Sequence, residues 1–221
     1  MTDSYRSIAA PSTGEFKDRG SKFIAYAWPV RSEAEAMEYL ENLRKEHFKA
    51  RHHCFAWRFE PDGSRFRSND DGEPSGTAGR PILGQIDSFS LTYVVVVVVR
   101  YFGGTLLGTS GLIHAYREAA AEALRNAEIV ECLVKDFFLL DFDYALMPDI
   151  MNAVKKLEVE VLRQSFEERG QIEIGIRQSE TEATLLRFKA QLWKVSEEEA
   201  AGVDWPSGFN LAVSKSDTPA S

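Results

Sequence analysis

Cysteine is nearly absent: Cys54 and Cys132 are the two among 221 residues. Two thiols cannot make the multi-bridge framework of a small secreted domain, and a reducing compartment would keep both free. Long apolar runs are missing too. The longest, Val94 to Val99, falls far short of the roughly 20 residues that span a bilayer and is closed by Arg100. Met1 to Ala10 carries Asp3, Arg6 and several polar residues in place of an apolar h-region, so it does not read as a secretory signal. A cytosolic protein with no membrane partner is expected. Excess basic charge is also lacking. With a net charge of −8 the overall field offers no nonspecific attraction to phosphate backbones, and DNA binding is not expected.

What is present is ordinary globular matter, 44% hydrophobic and 27% charged, enough for a core and a solvated surface. The length exceeds the roughly 100–200 residues of one domain. The charge is unevenly spread: residues 1–134 hold 16 basic against 18 acidic side chains, and residues 135–221 hold 10 against 16. An anion site would therefore be a local patch on the first half.

Ser32 and Glu35 form an S-x-x-E start for a helix over 32–48, in which Met37, Leu40 and Leu43 recur at helical spacing. Lys22 to Val30 and His52 to Phe59 alternate as strands. In the second of these His53, Phe55, Trp57 and Phe59 share one face, read as core, and His52, Cys54, Ala56 and Arg58 the other. Pro61-Asp62-Gly63-Ser64 is a turn, which predicts that Arg65 to Ser68 returns as a hairpin partner. Leu91 to Arg100 places β-branched valine on both faces, the mark of a central strand. Leu112 to Asn126 reads as an Ala-rich helix.

Beyond Val134, a strand at Phe137–Tyr144, a helix at Pro148–Leu157, strands at Val159–Phe166 and Gln171–Ile176, and a helix at Glu180–Leu192 make a β-α-β-β-α order. That is most of a ferredoxin-like split unit. The expected domains are 1–134 and 135–195, followed by a partly disordered tail over 196–221.

Two loops carry the chemistry. Asp70-Asp71-Gly72-Glu73-Pro74-Ser75-Gly76-Thr77-Ala78-Gly79 gathers three carboxylates, two hydroxyls and three glycines. It could hold a cation through its carboxylates or an anion through N–H groups at a helix start, or be a capped turn. It does not spell a Ca²⁺ loop. Arg100 to Gly111 runs strand, glycines, helix, a geometry that aims N–H groups at an anion. Yet Gly103, Gly104, Gly108 and Gly111 make neither G-x-x-x-x-G-K-[ST] nor G-x-G-x-x-G, and tight backbone packing explains them equally well. His52 and Cys54 share a strand face, but with His47, His53, His114 and Cys132 they offer no C-x-x-C or H-x-x-x-H. Nothing visible lowers the thiol pKa, and core packing is the better reading of Cys54.

Three stretches, RHHCFAW at Arg51–Trp57, DDGEPSGTAGRP at Asp70–Pro81 and VVVVRYFGGTLLGTSGLIHAY at Val96–Tyr116, resemble the signature of the YigZ/IMPACT family in its bacterial two-domain form. The resemblance covers the first domain and runs on to about Val195. It implies an α+β fold with a first domain similar to the second domain of ribosomal protein S5 and to domain IV of elongation factor G, and a second similar to domain V of that factor. It further implies RNA, ribosome or translation-protein contact; the eukaryotic relatives are translational regulators. It supplies no catalytic residue to carry over, and no cofactor or metal is expected. Ser110 stands where the family carries glycine.

The leading expectation is thus a non-catalytic, translation-associated binder with a regulatory role. Its contact surface would comprise Asp70, Asp71, Glu73, Pro74, Ser75, Thr77 and Gly79 from the first loop, and Arg100, Tyr101, Gly103, Gly104, Gly108 and Gly111 from the second. Arg51, His52 and Arg80 join them as contacts to phosphate or carboxylate. The alternative is a small-molecule enzyme or sensor that sets Asp70, Asp71 and Glu73 around a phosphate or metal.

Overall fold

The structure, a computed structural model, describes residues 3–214. The chain divides between Cys132 and Leu133 into two compact units.

In the first unit, five strands form one antiparallel sheet: β2 (Ser12–Asp18), β3 (Ser21–Pro29), β4 (His52–Phe59), β5 (Arg65–Asn69) and β6 (Val94–Tyr101), in the order β2-β3-β6-β4-β5. The valine run is the middle strand, as its two-sided apolar pattern predicts. Val95, Val97 and Val99 face α1 (Glu33–Glu46) together with Phe55, Trp57 and Phe59. Val94, Val96 and Val98 face α2 (Gly79–Ser88) and α3 (Gly108–Arg125), where Ile82, Ile86 and the alanines of α3 cover them. The sheet is thus clad on both sides. The Cys54–Ala56 face of β4 is buried as fully as its aromatic face, which sequence alternation alone did not indicate. A further strand, β1 (Ser4–Ile8), pairs with β7 (Ile129–Leu133).

Local chemistry sets the helix ends. Ser32 caps α1 by accepting from the Glu35 N–H at 3.2 Å. α3 begins at Gly108 rather than near Leu112, so Gly108 to Gly111 form its first turn.

The second unit holds β8 (Lys135–Phe142), α4 (Met147–Lys156), β9 (Glu160–Phe166), β10 (Gly170–Arg177), α5 (Thr181–Trp193), α6 (Glu197–Ala201) and β11 (Phe209–Val213). Its antiparallel sheet has the order β11-β8-β10-β9, and one core joins Leu140 and Ile174 of the sheet to Ile150 of α4 and Phe188 of α5. Residues 196–214, expected as part of a tail, instead supply α6 and the edge strand β11, which pairs with β8 from Phe209↔Phe142 to Val213↔Phe138. The remainder of that expected tail lies outside the described residues. No helix among the described residues is long and apolar enough to cross a membrane.

Candidate functional site: a cleft at the start of α3

β4 and β6 are neighbours with His52 opposite Arg100. Both side chains therefore project to the α2/α3 face of the sheet, at the end where the chain leaves β6. There the two loops meet. Glu73 and Pro74 from the acidic-glycine loop, Arg51 and His52 from the start of β4, and Arg100 and Gly108 from the second segment line one open cleft of about 440 Å³.

The three carboxylates of the first loop do not converge. Asp70 turns inward and accepts from the N–H groups of Gly76 (2.8 Å), Ala78 (3.0 Å) and Gly79 (2.8 Å). Partial burial pushes its pKa up, but the three backbone donors outweigh this and hold it below the usual carboxylate range. Asp71 accepts from the His53 N–H at 2.7 Å and from Arg44 at 3.1 Å. Glu73 takes the Arg100 Nη1 at 2.6 Å and the Tyr116 hydroxyl at 2.7 Å, both on Oε1. The picture of Asp70, Asp71 and Glu73 around one phosphate or metal is therefore corrected: each is engaged by a different set of protein donors. Among the described residues no three His, Cys, Asp or Glu side chains gather as a metal site. The α2 N-terminus is likewise closed to an anion, because Asp70 occupies its N–H groups.

The first loop is thus a rigid rim. Thr77 is buried and donates its hydroxyl to the Pro74 carbonyl at 2.6 Å, and Ser75 is exposed at the tip. Cys54 lies beneath, its single S–H within reach of two acceptors, the Asp70 carbonyl at 3.0 Å and Tyr116 Oη at 3.3 Å. Burial raises the pKa of both Cys54 and Tyr116, which keeps the thiol protonated and unreactive.

Several expected site residues lie elsewhere. Tyr101 points to the α1 face of β6 and bonds His47 Nδ1 at 2.8 Å, because consecutive strand residues face opposite ways. Arg80 sits with Gly76 and Arg117 in a second cleft between α2 and α3. Gly103 packs against the turn between β2 and β3: a Cβ there would lie 1.9 Å from the Gly20 carbonyl carbon. That close approach requires a glycine here. Gly104 is exposed in the segment before α3, and Gly111 is within the first turn of that helix.

Sequence reasoning passed over Phe102, Leu106 and Thr109, which also line the cleft. The signal was available, since bulky apolar residues amid glycines have no core to enter. Phe102 is 54% and Leu106 82% exposed. Beside them, α3 starts without a side-chain cap and without an acidic residue in its first turn. The N–H groups of Gly108 and Thr109 have no acceptor among the described residues.

These features define a two-unit α+β protein whose first unit carries a cationic, partly apolar cleft. The Impact N-terminal domain model matches residues 19–124, a span that contains the whole cleft. An IMPACT family member of Haemophilus influenzae is 36% identical over 178 residues, covering 80% of this chain and 84% of that protein. The member YvyE of Bacillus subtilis is 32% identical over 183 residues, covering 83% and 84%. The chain belongs to the IMPACT family. A solved structure described as that of a hypothetical protein matches with a TM-score of 0.69 at 28% identity, over 98% of this chain and all of that one.

Proposed function

We propose that this protein is a non-catalytic, translation-associated binding protein with a regulatory role, and that the cleft of its first unit contacts RNA, as a free molecule or in the ribosome. The observation that carries the reading is the convergence of Arg51, Arg100 and the open N-terminus of α3 on one exposed cleft behind a rigid rim. Membership of the IMPACT family supports the translational setting and, with it, a cytoplasmic location. The strand order of the second unit supports a ferredoxin-like domain; the likeness of that unit to elongation factor G domain V, and of the first unit to domain IV and to ribosomal protein S5, is part of the proposal. The overall net charge of −8 makes the contact local and site-bound. The test is a titration of ribosomes and structured RNA at increasing salt. Binding at low salt that weakens as salt rises is expected; no binding at low salt defeats the proposal.

A second reading, a sensor of a small phosphorylated ligand, draws on the size of the cleft, about 440 Å³, which falls among small-molecule sites. Thermal-shift measurements against nucleotides, phosphates and divalent ions separate the two, since a melting temperature flat across that panel excludes the sensor.

A further inference from the structure

The cleft contains more than cations. Its donors come first. Arg51 is exposed and makes no hydrogen bond or ion pair among the described residues. Arg100, whose side chain is 7% exposed, commits Nη1 to Glu73, while its enclosed Nε has no partner. The guanidinium carries five N–H donors, and its bond to Glu73 uses one of them. The N–H groups of Gly108 and Thr109 add the positive end of an 18-residue helix.

Acceptors stand opposite. Because Arg100 and Tyr116 both donate to Glu73 Oε1, Oε2 receives no hydrogen bond among the described residues. His52 Nδ1 lies 2.9 Å from the Asp71 carbonyl, and a carbonyl oxygen only accepts, so Nδ1 carries a proton. In the neutral ring Nε2 is then an acceptor. The third component is flat and apolar: Phe102, more than half exposed, with the Arg100 guanidinium 5.6 Å from its ring centroid, and Leu106 beside it.

Phosphate attraction alone would need the cations only. A peptide carboxylate would use the cations and leave the hydroxyl acceptor and the exposed ring idle. Donors for an anion, a free carboxylate oxygen for a hydroxyl and a ring for stacking together match phosphate, ribose and base.

We propose that the cleft seats one ribonucleotide unit, with its phosphate between Arg51 and Arg100 at the start of α3, a ribose hydroxyl donating to Glu73 and the base against Phe102. This rests on the RNA reading of the first unit and names the part of RNA it takes, an unpaired nucleotide. A strand residue and a free nucleoside monophosphate share this chemistry.

The full-length chain, labelled with ¹⁵N, is titrated with short oligouridylate, its deoxyribose counterpart, uridine monophosphate and inorganic phosphate. Oligouridylate should shift the amides of Gly108 and Thr109. Affinity should fall about tenfold for the deoxyribose strand, which lacks the hydrogen bond to a charged acceptor, and about tenfold in Arg51→Ala, where a charge-assisted contact is lost. Phe102→Ala, also a surface change, should weaken oligouridylate and leave inorganic phosphate unaffected. Equal shifts by uridine monophosphate assign the cleft to free nucleotides, and shifts by the oligomer alone assign it to a strand; either sustains the proposal. Oligouridylate or structured RNA that binds while Gly108 and Thr109 stay unmoved and Arg51→Ala is silent overturns the cleft assignment and leaves the RNA reading intact. Equal affinity for ribose and deoxyribose removes the Glu73 contact. No response to any nucleotide, with no salt-sensitive ribosome or RNA binding, overturns both.

Discussion

Arg100 donates Nη1 to Glu73 Oε1 across 2.6 Å, and the two side chains are 7% and 4% exposed. This enclosed pair ties the middle strand of the first sheet to the acidic-glycine loop, and Tyr116 of α3 donates to the same carboxylate oxygen. Strand, loop and helix are thereby pinned at one atom. The rim keeps its place beside the cleft for that reason.

Breaking such a pair leaves an uncompensated buried charge, which costs about 3–5 kcal/mol. Glu73→Gln and Arg100→Met should each lower the unfolding free energy, read from urea denaturation, by an amount of that order. Because both remove one interaction, the double variant should lose clearly less than the sum. Strict additivity would show that the pair is not coupled.

Asp70 holds three loop N–H groups, and Asp70→Ala should cost about 2–3 kcal/mol, since hydrogen bonds to a charged group are the stronger kind. Its folded pKa is lowered, so the unfolded chain takes up this proton first on acidification. The stabilisation is present above the ordinary carboxylate value and lost as pH falls through the folded one. Unfolding curves of wild type and Asp70→Asn should therefore converge below about pH 4; a constant gap would show that the charge is not what stabilises the loop.

His53 is 5% exposed, and its Nε2 is enclosed without a partner. Burial lowers its pKa from 6.5. The folded state thus prefers the neutral ring, and stability should decline as pH drops below the unfolded value while the unfolded chain binds the proton. His53→Phe should flatten the stability profile between about pH 7 and pH 5, as followed by thermal melts across that range. An unchanged slope would place the titrating group elsewhere.

Two neighbouring glycines should respond differently. In Gly103→Ala the new Cβ would meet backbone, 1.9 Å from the Gly20 carbonyl carbon and 2.2 Å from the Ser21 nitrogen, so a loss of about 3 kcal/mol or more is expected. In Gly104→Ala nothing lies within 4 Å, but φ is +87°, and the strain should cost about 1 kcal/mol. Melting temperatures of the two variants check the order.

Much of this fold is legible along the chain. Where burial is imposed by a local pattern, as in the valines of β6 or the S-x-x-E start of α1, the residues announce their element and its place. β11 escaped because five residues after a Gly/Pro-containing stretch have little periodicity; their strand state depends on the partner β8 offers. The sequence alone indicates a start for α3 four residues too late because glycines lower helix propensity, while in the fold the start is set by where the chain must turn from β6. The candidate site divides the same way. Its two loops stand out by composition, and the alternation of β6 separates Arg100 from Tyr101. Which carboxylate faces which donor does not follow from spacing.

Composition, periodicity and motif spelling were enough to settle β3, β4, β5, β6 and α1 of the first unit and to mark the two segments worth attention, because those properties depend on neighbours within a few residues. Pairings across 27 positions between Glu73 and Arg100 and 43 between Glu73 and Tyr116, and the opening that Phe102 and Leu106 leave beside them, exist only once distant segments are packed together. Contacts of that kind are fixed by the shared core, and no local pattern encodes them.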